Sequence, residues 1–164
     1  MDLPDLAAIG RIAMLEARAK ASAVAVLKGV AKLSSDEWQA SDTNQFAQIM
    51  VKLIDEAKSV DARLHGMVMR LEILRKTSQD DRHQIVHANW GHSTEGNPTA
   101  FDTRRRRWLT REDIQRAITS NEATDRLAFE CVWLTAKLVE EGIIPERAEG
   151  AGPAMRLASG LWQW

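Results

Sequence analysis

Apolar residues recur at helical spacing over most of this chain, and that period leaves little room for a sheet. Phe46, Ile49, Met50, Leu53, Ile54 and Ala57 follow the i, i+3, i+4, i+7 pattern of one helix face. Val60, Leu64, Met67, Leu71 and Leu74 continue the period, with Val68 beside them. Ile114, Ala117, Ile118, Leu127, Cys131, Leu134 and Leu138 form another stripe. No long stretch alternates polar and β-branched residues as a half-buried strand would, and tyrosine is absent. Ala, Leu, Glu, Lys and Arg, all good helix formers, are plentiful. The expectation is an all-α fold: a helical bundle of about four long helices, with a short motif helix and a loop or β-hairpin insert.

Start and stop signals divide the period into elements. A first helix is expected over residues 4–32, with Leu6, Ile9, Ala13, Ala17, Val24, Leu27 and Ala31 on one face. A polar connection over 34–42 leads to Asp42 and Gln45, which resemble a capping box for the second helix. A break near Ser59 would separate a third helix; without it, the second and third are one. Ser78 with Asp80 and Asp81 looks like another start. The segment after it, residues 82–90, is then helical, either as a short helix of its own or as an extension of the third, and Gly91 ends it. Residues 92–108 include Gly96, Asn97 and Pro98 and read as a loop or short hairpin. Thr110, with Glu112 and Asp113 behind it, starts the last long helix, and Gly142 followed by Pro145 stops it.

A chain of 164 residues is large enough for one real core, read here as a domain over 1–145 and a tail over 146–164. The net charge of −1 gives no bulk attraction to nucleic acid, so any anion-binding surface must be local. The single Cys131 permits no intramolecular disulfide and suits a cytoplasmic setting. On an apolar helix face it reads as a small buried hydrophobe. Asp2, Asp5, Arg11, Glu16, Arg18, Lys20, Lys28 and Lys32 break up the Ala-rich first 33 residues and argue against a membrane span or a signal peptide.

The segment that comes closest to naming a chemistry is residues 81–91, DRHQIVHANWG. Arg82 is a permanent cation whose forked donors fit a phosphate. His87 and His83 titrate near neutrality and can exchange protons. At about 100° per residue, Arg82 and His87 lie roughly 140° apart around a straight helix. A long arginine, a helix start or a second protomer must close that gap.

Arg82, the polar residue after it and His87 form an R-polar-x3-H motif, followed by Trp90-Gly91. Here the chain resembles the HEPN superfamily of helical bundles, also in its order of long helices, motif, irregular insert and final helix. Many members have asparagine after the arginine; this chain has His83. The resemblance implies a metal-independent endoribonuclease, with no cofactor, in which two protomers line one cleft. His87 would move a proton on the attacking 2′-hydroxyl or the leaving oxygen, and Arg82 would stabilise the phosphate's developing charge, with His83 in support. The same resemblance suggests defence or toxin–antitoxin biology, with RNA, a second copy and an antitoxin protein as partners.

Other readings compete. Arg82 paired with Asp80 or Asp81 and His87 half-buried would make the motif structural and the protein a non-catalytic interaction module. His83 and His87, at i and i+4, share a face, and His92 and Glu95 follow, which suggests a metal site; no H-E-x-x-H or paired-cysteine pattern supports it. Arg104, Arg105, Arg106 and Arg107 next to Trp108 suit an RNA backbone and a stacked base, or a solvated turn anchored by its indole. Trp162 and Trp164 suggest a tail that docks on the bundle or a second subunit.

Overall fold

Asp61 marks the boundary that the apolar period alone leaves open. Its backbone is extended, and its N–H donates to Ala57 O, which closes one helix. Its carboxylate accepts from the N–H groups of Arg63 (2.8 Å) and Leu64 (3.3 Å), which opens the next. The second and third expected helices are therefore separate, divided at Asp61, two residues beyond the expected break.

The computed structural model describes residues 3–31, 33, 35–92, 94 and 98–145. Its elements are α1 (Leu3–Val30), α2 (Ser35–Thr43), α3 (Phe46–Val60), α4 (Ala62–Val86), β1 (Asn89–His92), β2 (Pro98–Asp102), β3 (Arg107–Trp108) and α5 (Arg111–Glu140). The fold is all-α, a helical bundle with a small β insert. No described helix is long and apolar enough to cross a membrane. Glu95, Gly96, Asn97 and the tail with Trp162 and Trp164 lie outside the described residues.

Several boundaries differ from expectation. The polar connection over 34–42 contains α2, whose first turn carries Asp36 and Glu37 at the positive end of the helix dipole. Asp42 lies in the last turn of α2 and pairs with Lys28 at 2.8 Å. The start of α3 is three residues later, where the Gln45 N–H donates to Gln48 Oε1. Ser78 starts nothing. It is buried inside α4, its hydroxyl donating to Arg75 O (3.0 Å), so a residue with cap chemistry is satisfied within the helix. The motif's Arg82 to Val86 are thus the last part of α4, not a separate helix, and His87 follows them. That helix stops at Val86, and Gly91 sits within β1 rather than ending it.

On α1 the buried residues are Ile12, Leu15, Ala19, Ala23, Val24, Val26, Leu27 and Val30, while Ala13 and Ala17 are exposed. Alanines all round this helix blur the apolar stripe, and only its larger side chains show which face is inside. The start and stop of α5 match expectation. Thr110 N–H donates to Asp113 Oδ2 (2.9 Å) while Asp113 N–H donates to Thr110 Oγ1 (3.3 Å). At the other end Gly142 takes a left-handed φ of 72°. Its N–H reaches Val139 O and that of Ile143 reaches Leu138 O, the paired bonds of a glycine-terminated helix.

Among the described residues the chain falls into two compact units, 3–17 with 73–124, and 18–72 with 125–145. The first has a core of Ile12, Ile85, Ala117 and Ile118, against which Ala8, Ile9, Trp90, Leu109 and Ile114 pack. It also holds the antiparallel sheet, in order β1-β2-β3, with Trp90 opposite Ala100 and Phe101 opposite Trp108. The second buries Ile49, Met50, Leu53, Ala57, Leu64, Val68, Leu71, Ala128, Cys131 and Leu138. Burial holds the Cys131 thiol up at about 12, protonated and inert.

Candidate functional site

The end of α4 brings the two histidines of the motif together. His87 follows the helix, but its N–H still donates to His83 O at 3.1 Å. That bond keeps the helical i, i+4 relation for one more residue, and the two imidazoles lie with ring centroids 4.2 Å apart, tilted by 51°. His83 is half-buried and His87 exposed. Trp90 fixes the turn that follows, because its Nε1 donates to Ile85 O (3.0 Å) while its ring packs on the first unit's core.

Arg82 points to a different partner from the aspartates beside it. Its Nε lies 2.7 Å from Glu16 Oε2 of α1, with both side chains about a third exposed (31% and 30%). The contact is one of charge, not an aligned hydrogen bond. Asp81 faces α5 instead, with Oδ1 3.2 Å from Arg116 Nε. The His83 imidazole is held below its ordinary value, first by burial and then by the positive charge of His87, Arg104 and Arg82, with Asp80 opposing. A depressed value leaves it neutral at pH 7 with a free lone pair. Three motif residues and one arginine of the distant cluster thus share one electrostatic neighbourhood.

The arginine cluster forms the turn between β2 and β3, and its members differ in role. Asp102, 3% exposed, accepts from the N–H groups of Arg104 (2.9 Å) and Arg105 (3.1 Å) and sets the turn. Arg104, Arg105 and Arg106 are exposed. Arg107 turns inward and grips Asp113 through two bonds of 2.7 Å each. Asp113, 4% exposed, also accepts from Arg116 at 2.8 Å. Its carboxyl is held well below the usual carboxylate range, chiefly by Arg107. A chain of charges therefore runs from the hairpin (Arg107) through α5 (Asp113, Arg116) to Asp81, the residue before Arg82.

Glu16 and this network escape a reading of the sequence. Glu16 sits on an unremarked polar face of α1, far from the motif in the chain. Asp113 shows only as an acid in a first turn, and nothing local says that Arg107 will seek it. Among the described residues no cluster of three His, Cys, Asp or Glu side chains could hold a metal ion. No protein-family model matches this chain, nor does any curated protein or solved structure.

Proposed function

We propose that the chain is an HEPN-like endoribonuclease that cleaves RNA by attack of the neighbouring 2′-hydroxyl, needs no metal, and acts as a homodimer. The observation that carries this reading is the His83–His87 pair, 4.2 Å apart, with the charges of Arg82 and Arg104 acting on His83. A neutral imidazole takes the 2′-hydroxyl proton as the 2′-oxygen bonds to phosphorus. The P–O5′ bond breaks, and an imidazolium gives its proton to the leaving oxygen. Arg82 offsets the negative charge that builds on the phosphoryl oxygens between these steps. The products are a 2′,3′-cyclic phosphate and a 5′-hydroxyl.

The homodimer comes from the resemblance, and the stereochemistry of the reaction supports it. In-line displacement needs base and acid on opposite sides of the phosphorus. Two histidines on one face of one helix approach it from the same side. A second copy of the chain supplies the opposing group. This reading places the protein in the cytoplasm, and a role in defence or with an antitoxin rests on the resemblance alone.

Cleavage of a mixed-sequence RNA in EDTA tests it. Wild type is expected to cut, and His87→Ala and Arg82→Ala to lose about 10²–10⁴-fold in rate. A folded, dimeric wild type that leaves RNA intact overturns the nuclease. The interaction module then gains, with Phe129 (44% exposed) and Trp133 (50%), one turn apart on α5, as its surface.

A further inference from the structure

Arg106 adopts a backbone conformation that costs an arginine energy. Its φ of 52° lies in the left-handed region, where glycine sits without strain, and no other described non-glycine residue does this. The turn that imposes it is held from beneath by Asp102, which accepts two consecutive N–H groups. The result is a turn tip bearing three exposed arginines, Arg104, Arg105 and Arg106. A strained residue of high charge at a tip that needs no charge for its own folding points to a ligand.

Trp108 follows at the end of the turn. It is 60% exposed, and Phe101, directly opposite it in the sheet, meets it edge to face at 5.2 Å and 71°. Phe101 thus fixes the indole's orientation while most of its surface stays open. Trp108 lies four positions after Arg104, a span of at most about 14 Å. An aromatic platform beside a fixed run of cations suits unpaired bases on a phosphate backbone, since a base within a duplex has no open face to stack. Arg104 is also one of the cations that depress the His83 imidazole.

We propose that the β2–β3 turn is a single-stranded RNA-binding element, in which Trp108 stacks one unpaired base and Arg104, Arg105 and Arg106 hold adjacent phosphates. Its purpose, delivery of the strand to His83 and His87, rests on the nuclease reading; its binding does not. Arg107 is excluded from the element, because Asp113 occupies its guanidinium.

The test uses the full chain and a fluorescein-labelled, mixed-sequence 2′-O-methyl octamer, which 2′-hydroxyl attack cannot cleave. Its blunt duplex and anionic phospholipid vesicles serve as rival probes. The octamer is expected to bind more tightly than the duplex. Trp108→Ala should weaken it roughly five- to hundredfold, the loss of one base stack, and Trp108→Phe should retain most of the affinity. Arg106→Gly should melt at a higher temperature than wild type yet bind more weakly, with its salt slope reduced by about 0.7. A more stable protein that binds less well separates ligand contact from folding. Unchanged binding in Trp108→Ala and Arg106→Gly overturns the element, as does equal or tighter binding of the duplex or of vesicles. If RNA is cleaved in EDTA while these variants bind normally, the element falls and the nuclease stands. If binding falls as expected but no RNA is cut, the nuclease falls and the element stands.

Discussion

The carboxylate of Glu16 on α1 stands 2.7 Å from Nε of Arg82 on α4, so the cation assigned to the phosphate already has an anion beside it. A guanidinium cannot give its full field to both. On the proposed nuclease reading, Glu16→Gln is expected to lower KM for RNA several-fold, because the scissile phosphate no longer competes with a carboxylate. With both groups a third exposed, the change in stability should be under about 1 kcal/mol. A rise in KM together with a fall in kcat would show instead that Glu16 positions Arg82.

The charge on His83 should respond to Arg104. Burial, His87, Arg104 and Arg82 depress its folded value below the ordinary value of about 6.5. The unfolded chain then holds more protons between the two values, so His83's contribution to stability is complete above about pH 6.5 and is lost as pH falls towards the folded value. Arg104→Ser removes one of the cations and should raise that value, moving the acid limb of the cleavage profile upward with it. NMR titration of the His83 ring reads the shift directly. An unmoved titration would mean that Arg104 does not act on the pair.

Helical period made the bundle legible because large side chains at i, i+3 and i+4 leave one solution, as in α3. The same rule failed on α1, where alanine on every side made Ala13 and Ala17 look equivalent to Ile12 and Leu15. Cap chemistry was legible where the cap partner is local, as at Thr110 with Asp113, and misleading at Ser78, whose hydroxyl is satisfied within its own helix. The motif residues themselves could be read from spacing. Their surroundings could not: Glu16, Arg104 and the Arg107–Asp113 pair depend on which segments meet, and no local pattern carries that.

Gly142 offers a test of the fold away from the site. Its φ of 72° lets its N–H and that of Ile143 turn back onto Val139 and Leu138. No atom crowds the position a Cβ would take, so the strain of an alanine there is purely conformational. Gly142→Ala should cost about 1–2 kcal/mol in denaturant unfolding with RNA cleavage unchanged. A neutral substitution would mean that α5 ends in another way.

Asp113 separates the structural arginine of the turn from the others. It is 4% exposed and carries Arg107, Arg116 and the Thr110 N–H at once. Asp113→Asn leaves two guanidiniums short of their anion and should cost about 2–3 kcal/mol. The depressed carboxyl also fixes the pH dependence. Its stabilisation is complete above the unfolded value of about 3.9 and disappears as pH drops towards the folded one, so acid unfolding of wild type should steepen below pH 4 and that of Asp113→Asn should not. Arg107→Ala should reproduce part of the stability loss while octamer binding stays close to wild type. Arg105→Ser should do the reverse, with stability kept and binding weakened. If Arg107→Ala weakens binding as much as Arg105→Ser without loss of stability, the pair with Asp113 does not define its role.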